Sequence, residues 1–171
     1  VTAIYTIEPY WRTAQDVVDA LVPEQEKEEQ VPHPQSPRPA PVGKEVRATL
    51  DGKEVAFERL TRRVAQRESR PFEHRVALTD GCEALQVRML EQVPRFTLVL
   101  DIIHASEYLW HAANALLGET NPERTPWVRD RLLQILSGQT AIVIQELEKQ
   151  MIHPSLLPTQ RKALKTTIGY Y

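Results

Sequence analysis

The chain opens with an alternating apolar–polar stretch, VTAIYTIE, whose period of two predicts a strand over about residues 1–8, stopped by Pro9. A helical period follows. Thr13 reads as its N-cap, and Val17, Val18 and Leu21 fall on one side. Two short apolar runs stand further along, HRVALT and RFTLVLDIIH. Between them GCEALQVRMLEQV repeats apolar residues at spacing four (Leu85, Met89, Val93). Strand, helix, strand is a βαβ unit, with a right-handed crossover expected. The second run is apolar on both faces, which predicts a parallel sheet covered on both sides. Parallel strands end at the same sheet edge, so Asp80 and Asp101, each at the end of a run, are expected to emerge together there.

Beyond Asp101 the period is helical throughout. Ser106–Leu117 carries Leu109, Ala112, Ala113, Leu116 and Leu117 on one side and stops at Gly118. Thr125 reads as the cap of the next helix, with Pro126 at its first position and Trp127, Leu132, Ile135 and Leu136 inward. SGQ at 137–139 breaks the pattern. A further helix reaches about Gln150, and TQRKALKTTIGYY begins a last one.

Two segments read differently. Residues 23–43 hold six of the 13 prolines and almost no large apolar residue, so they are expected as an exposed linker or loop. Residues 44–58 fit either a hairpin on Asp51-Gly52 or a helix. The helix, from about 52 to 68, is the favoured reading, with Asp51 as cap and Glu54 completing a capping box. Its arginines (Arg59, Arg62, Arg63, Arg67) are read as a solvated face among glutamates rather than as phosphate ligands. The resulting organisation is a strand and short helix over 1–22, the linker over 23–43, an α/β core over 44–118 and a helical segment over 119–171.

Composition narrows the function classes. The 171 residues are 42% hydrophobic and 26% charged, enough for a real core. A net charge of −2 lacks the basic footprint of a self-sufficient nucleic-acid binder. No apolar run is long enough to span a membrane, and a cytosolic protein fits. The one cysteine, Cys82, excludes an internal disulfide and a cysteine-built zinc site, and reads as a small buried residue. Trp11, Trp110 and Trp127 read as packing residues. No glycine-rich phosphate loop is present, which disfavours a nucleotide-type binder. The strand-like start without Met and the abrupt TTIGYY end suggest a piece of something longer.

Carboxylates converging at a strand edge are ligands for Mg²⁺ or Mn²⁺, and such ions serve phosphodiester chemistry. An Asp after a strand also caps helices in many proteins, so spacing alone decides little. Three segments taken in order, VTAIYTIEPYWRTAQDVV, ALTDG and LDIIHASEYLWHAANAL, resemble the transposases of ISKra-type bacterial insertion sequences, a DDE class with an RNase H-like fold akin to the Mutator-like group. The resemblance implies that Asp80, in TDG, is the second of three catalytic acids and a metal ligand, with Gly81 letting the backbone turn close to the ion. It implies supporting or DNA-contacting roles for Asp101 and His104 in DIIH. It implies Mg²⁺ or Mn²⁺ as cofactor, DNA as partner and a homo-oligomer in the full-length protein. The first Asp and the last Glu of that class have no counterpart here. The expectation is therefore a central fragment of a partial RNase H-like core, inefficient on its own; the alternative is a non-catalytic remnant acting by protein association.

Overall fold

The computed structural model describes residues 1–23, 37–69 and 71–171. Most of the expected 23–43 linker thus lies outside the described residues. The fold is α/β, with seven helices and two two-stranded sheets among the described residues. The chain forms two compact units. One comprises the described residues of Val1–Trp11 and Pro32–Leu100, the other those of Arg12–Val31 and Asp101–Tyr171. The division therefore falls at Leu100–Asp101 rather than after Gly118.

In the first unit β1 (Thr2–Thr6) pairs antiparallel with β2 (Val42–Arg47), Thr2 opposite Arg47 and Ile4 opposite Glu45. Val42 and Gly43, expected in the linker, thus belong to a strand. The ambiguous 44–58 stretch resolves into the end of β2 and the start of α2 (Lys53–Arg67). Helix α2 buries Phe57 and Leu60 and packs on β1. The predicted capping box does not form. Gly52, at φ 96°, occupies the N-cap with no side-chain bond. Asp51 is engaged elsewhere: it accepts from the Thr49 hydroxyl at 2.7 Å and from Arg59 at 3.2 Å.

The βαβ unit follows: β3 (Val76–Thr79), α3 (Glu83–Gln92) and β4 (Thr97–Leu100), the strands parallel with Thr79 opposite Leu100. Helix α3 packs against both strands. Ala77 and Thr79 are buried, but Val76, Leu78 and Val99, which the register and pleat put on the opposite face, are 55, 57 and 39% exposed. The expectation of a sheet covered on both faces is corrected here. Among the described residues a single helix supplies one covering layer, and the apolar composition of the strands does not create a second. Trp11, expected as packing, is 87% exposed.

The second unit is helical: α1 (Ala14–Leu21), α4 (Ile102–Leu117), α5 (Arg124–Leu136), α6 (Thr140–Met151) and α7 (Pro158–Tyr170). Helix α1 starts as the sequence reads. Thr13 Oγ1 accepts from the Asp16 amide at 3.1 Å, and Asp16 accepts from the Thr13 amide at 2.8 Å, a reciprocal capping box. Helix α4 runs through the middle of the unit, packing on α5 and α7. Its Ala105, Leu109, Ala112 and Ala113 are buried at helical spacing, and the alanines let neighbours approach closely. Two clusters result, one of Val18, Val22, Leu109, Ala113, Val128 and Leu132, the other of Ala112, Val143, Leu147 and Leu164. Each fully buried Leu contributes about 1.5–3 kcal/mol relative to exposure. Polar bonds register α7 along α4: Thr167 donates to the Tyr108 carbonyl at 3.0 Å, and Gln160 to that of Ala115 at 2.9 Å. Helix α5 begins at Arg124 with Glu123 before it, so Thr125 and Pro126 lie within its first turn rather than capping it. Among the described residues no helix is long and apolar enough to cross a membrane.

Candidate functional site

Strand β3 hands the chain to α3 through Asp80, Gly81 and Cys82. Asp80 is exposed, and its Oδ1 accepts from the Cys82 amide at 3.1 Å. This closes an Asx turn over Gly81, whose φ of 84° disfavours any side chain. Cys82, half-buried, is the N-cap of α3 but makes no side-chain cap bond, so the Asp80 carboxylate supplies negative charge near that helix start. At the end of β3 the Thr79 hydroxyl is buried without a hydrogen-bond partner among the described residues.

Asp101 stands where β4 hands the chain to α4, in the second unit. Its Oδ1 accepts from the Ile103 amide at 2.9 Å and so N-caps α4. This cap is why the strand stops at Leu100 and why Ile102, Ile103 and His104 are already helical. His104 Nδ1 lies 2.9 Å from Glu107 Oε2, one helical turn on. The ring meets Tyr108 and Tyr170 edge-on at 5.4 and 5.5 Å, and those two tyrosines stack at 3.9 Å. His104 is thus held in an aromatic cluster of α4 and α7. His111 is exposed.

The strands end level, and an aspartate follows each, as expected from the apolar runs. Both carboxylates accept a backbone amide two residues on, which is local capping chemistry. Among the described residues no group of three or more His, Cys, Asp or Glu side chains is placed to hold a metal ion. The donors among the described residues do not by themselves complete a divalent metal centre.

Two charged arrangements were not apparent in the sequence. Arg129, buried on α5, donates to the Val22 carbonyl and to Asp19. A charge amid Trp127, Val128 and Leu132 is the one sequence signal for it. In the first unit, Glu45 of β2 receives Arg67 at 2.9 Å, Arg63 at 3.3 Å and Arg47 at 3.8 Å. The Arg67 hydrogen bond, aided by the other guanidinium charges, holds the Glu45 carboxyl below its usual range. Comparison of the chain with protein-family models, with curated proteins and with solved structures finds no match.

Proposed function

We propose that this chain is the central segment of a DDE-type transposase with a partial RNase H-like core, and that Asp80 is one of its catalytic acids. The observation that carries the reading is the parallel β3–β4 pair with Asp80-Gly81 at its carboxyl end, where α/β folds bind ligands. Gly81 at positive φ keeps the backbone beside Asp80 open to close approach. The resemblance of TDG and DIIH to that class supplies the assignment of roles. Asp80 is a metal ligand, while Gly81, Asp101 and His104 support the site or contact DNA. Mg²⁺ or Mn²⁺ would supply activation of a water or a 3′-hydroxyl once further acids join Asp80. DNA is the substrate and the working form is a homo-oligomer.

The test is to express the whole reading frame that contains this chain and assay Mg²⁺-dependent nicking of labelled duplex DNA. Asp80→Asn abolishes nicking, whereas Asp101→Asn and His104→Ala lower it. Nicking by Asp80→Asn at the parent rate overturns the assignment. A second reading, a remnant acting by protein association, is favoured by the exposed apolar face of Val76, Leu78 and Val99. It predicts self-association with no DNA cleavage from the same reading frame.

A further inference from the structure

The Glu45 cluster lines one wall of a groove in the first unit. The β1–β2 register puts Thr2 opposite Arg47 and Ile4 opposite Glu45, and these side chains share the face toward α2. Arg59, Arg62 and Arg63 of α2 line the other wall, with Leu60 and Ile4 among the apolar lining. The open groove has a volume of about 490 Å³.

The charge in this groove is unbalanced. From position 44 to 67 the chain carries seven Lys or Arg residues against four carboxylates, a local surplus of three in a chain of net charge −2. Three guanidinium groups converge on Glu45, yet one carboxylate neutralises only one of them. Arg67 is the structural partner: it has the shortest contact, also donates to the Gly43 carbonyl, and its side chain is only 22% exposed. Arg47 sits at the long end, 3.8 Å from Glu45, and is 60% exposed. Arg62 is 66% exposed and, among the described residues, engages Glu58, one helical turn away. Exposed pairs of this kind are weak, so their arginines are readily transferred to a better anion. Each basic residue lining the groove is an arginine, whose planar fork matches phosphate oxygens.

We propose that the groove between the β1–β2 sheet and α2 holds the phosphodiester backbone of DNA, with Arg47, Arg62 and Arg63 contacting phosphates. The inference rests on the reading that this chain acts on DNA and adds where the strand lies. Arg67 fixes Glu45, and Glu45 in turn orients Arg47 and Arg63 along the groove. The net charge of the chain hides the site because its excess acid lies outside positions 44–67.

The experiment measures fluorescence anisotropy of a labelled mixed-sequence duplex with the 171-residue chain over a salt series. Affinity falls linearly with salt on logarithmic axes. Arg47→Gln and Arg62→Gln each weaken binding about eightfold near 0.1 M salt and reduce the slope by about one, the effect of one lost phosphate contact. Glu45→Gln tightens binding. Arg95→Gln removes an arginine of the same unit that is at least as exposed, away from the groove, and changes affinity less than about twofold. Melting curves of the four variants report folding, and the exposed positions of Arg47 and Arg62 leave it intact. Absence of binding, groove variants no weaker than Arg95→Gln, or an acidic peptide competing as well as DNA of equal charge overturns the proposal. These readouts are independent of nicking. Loss of the groove effect with Asp80-dependent nicking retained refutes the groove alone, and the reverse refutes the transposase reading alone.

Discussion

Arg129 is the place where a single substitution tests how the helical unit is held. Its side chain is 10% exposed and ties α5 to the end of α1 by donating to the Val22 carbonyl and to Asp19. Val22 is the C-cap of α1, a helix with no basic residue in its last turn, so the guanidinium also faces the negative end of that helix. Arg129→Met keeps the aliphatic stem and removes the donors. The Val22 carbonyl, in a residue only 3% exposed, then loses a charged partner, at about 1–3 kcal/mol. Asp19 is 53% exposed and regains water, so its share is about 0–1 kcal/mol after screening. The expected loss for Arg129→Met is roughly 1–4 kcal/mol, and for Asp19→Asn no more than about 1 kcal/mol. Urea unfolding followed by tryptophan emission reads this directly. Trp110 and Trp127 pack against the cluster containing Val22, while the exposed Trp11 contributes little change. A midpoint shift at constant slope is the expected form. A loss below about 0.5 kcal/mol for Arg129→Met, or an Asp19→Asn loss as large as that of Arg129→Met, refutes the reasoning.

The remaining predictions concern the strand ends and pH. Asp101→Ala removes the N-cap of α4 and costs about 1 kcal/mol, whereas Asp101→Ser retains a capping oxygen; equal melting of all three proteins would sink the capping account. Gly81→Ala must adopt φ 84° and costs about 1–2 kcal/mol, read as faster amide exchange at the start of α3. Asp16, Glu45 and Glu54 are held below their ordinary pKa values, by the Thr13 side-chain hydrogen bond, the Arg67 hydrogen bond and the Glu54 backbone amide respectively. A depressed folded pKa gives stability that is present above the ordinary values of 3.8 and 4.5 and is lost as pH falls through the lower folded ones. Thr13→Ala should move the Asp16 titration, followed by NMR, back upward. Tyr171 shows the opposite sign. Burial raises its pKa, and its hydroxyl donates to the Ala105 carbonyl at 2.6 Å. Its contribution is intact below the ordinary phenol value of about 10 and is lost as pH rises through the folded one, which phenolate absorbance during alkaline unfolding would detect.

Much of the local architecture is legible in the residues. Thr13 with Asp16 announces the start of α1, the two apolar runs around GCEALQVRMLEQV announce β3, α3 and β4, and Gly118 announces the end of α4. The failures are local as well, where two nearby partners compete. Asp51 has the spacing of a helix cap, but Thr49 and Arg59 claim its carboxylate and Gly52 takes the cap position. Thr125-Pro126 has the form of a helix start, but α5 begins two residues earlier, at Arg124, with Glu123 at the cap.

Most helices and strands, β2 excepted, and the carboxylates at the ends of β3 and β4 can be read from the residues alone, because periodicity, capping and turn chemistry act over a few residues. Which apolar faces are covered and which charges meet depends on how the chain folds together. Val76, Leu78 and Val99 have the composition of a buried strand face, yet they stay exposed because no second layer lies over them among the described residues. Glu45 meets Arg67 across 22 positions and Arg129 meets Asp19 across 110. Burial and ion pairing depend on what the fold brings within a few ångströms, and neither the period nor the composition of a segment encodes that neighbour.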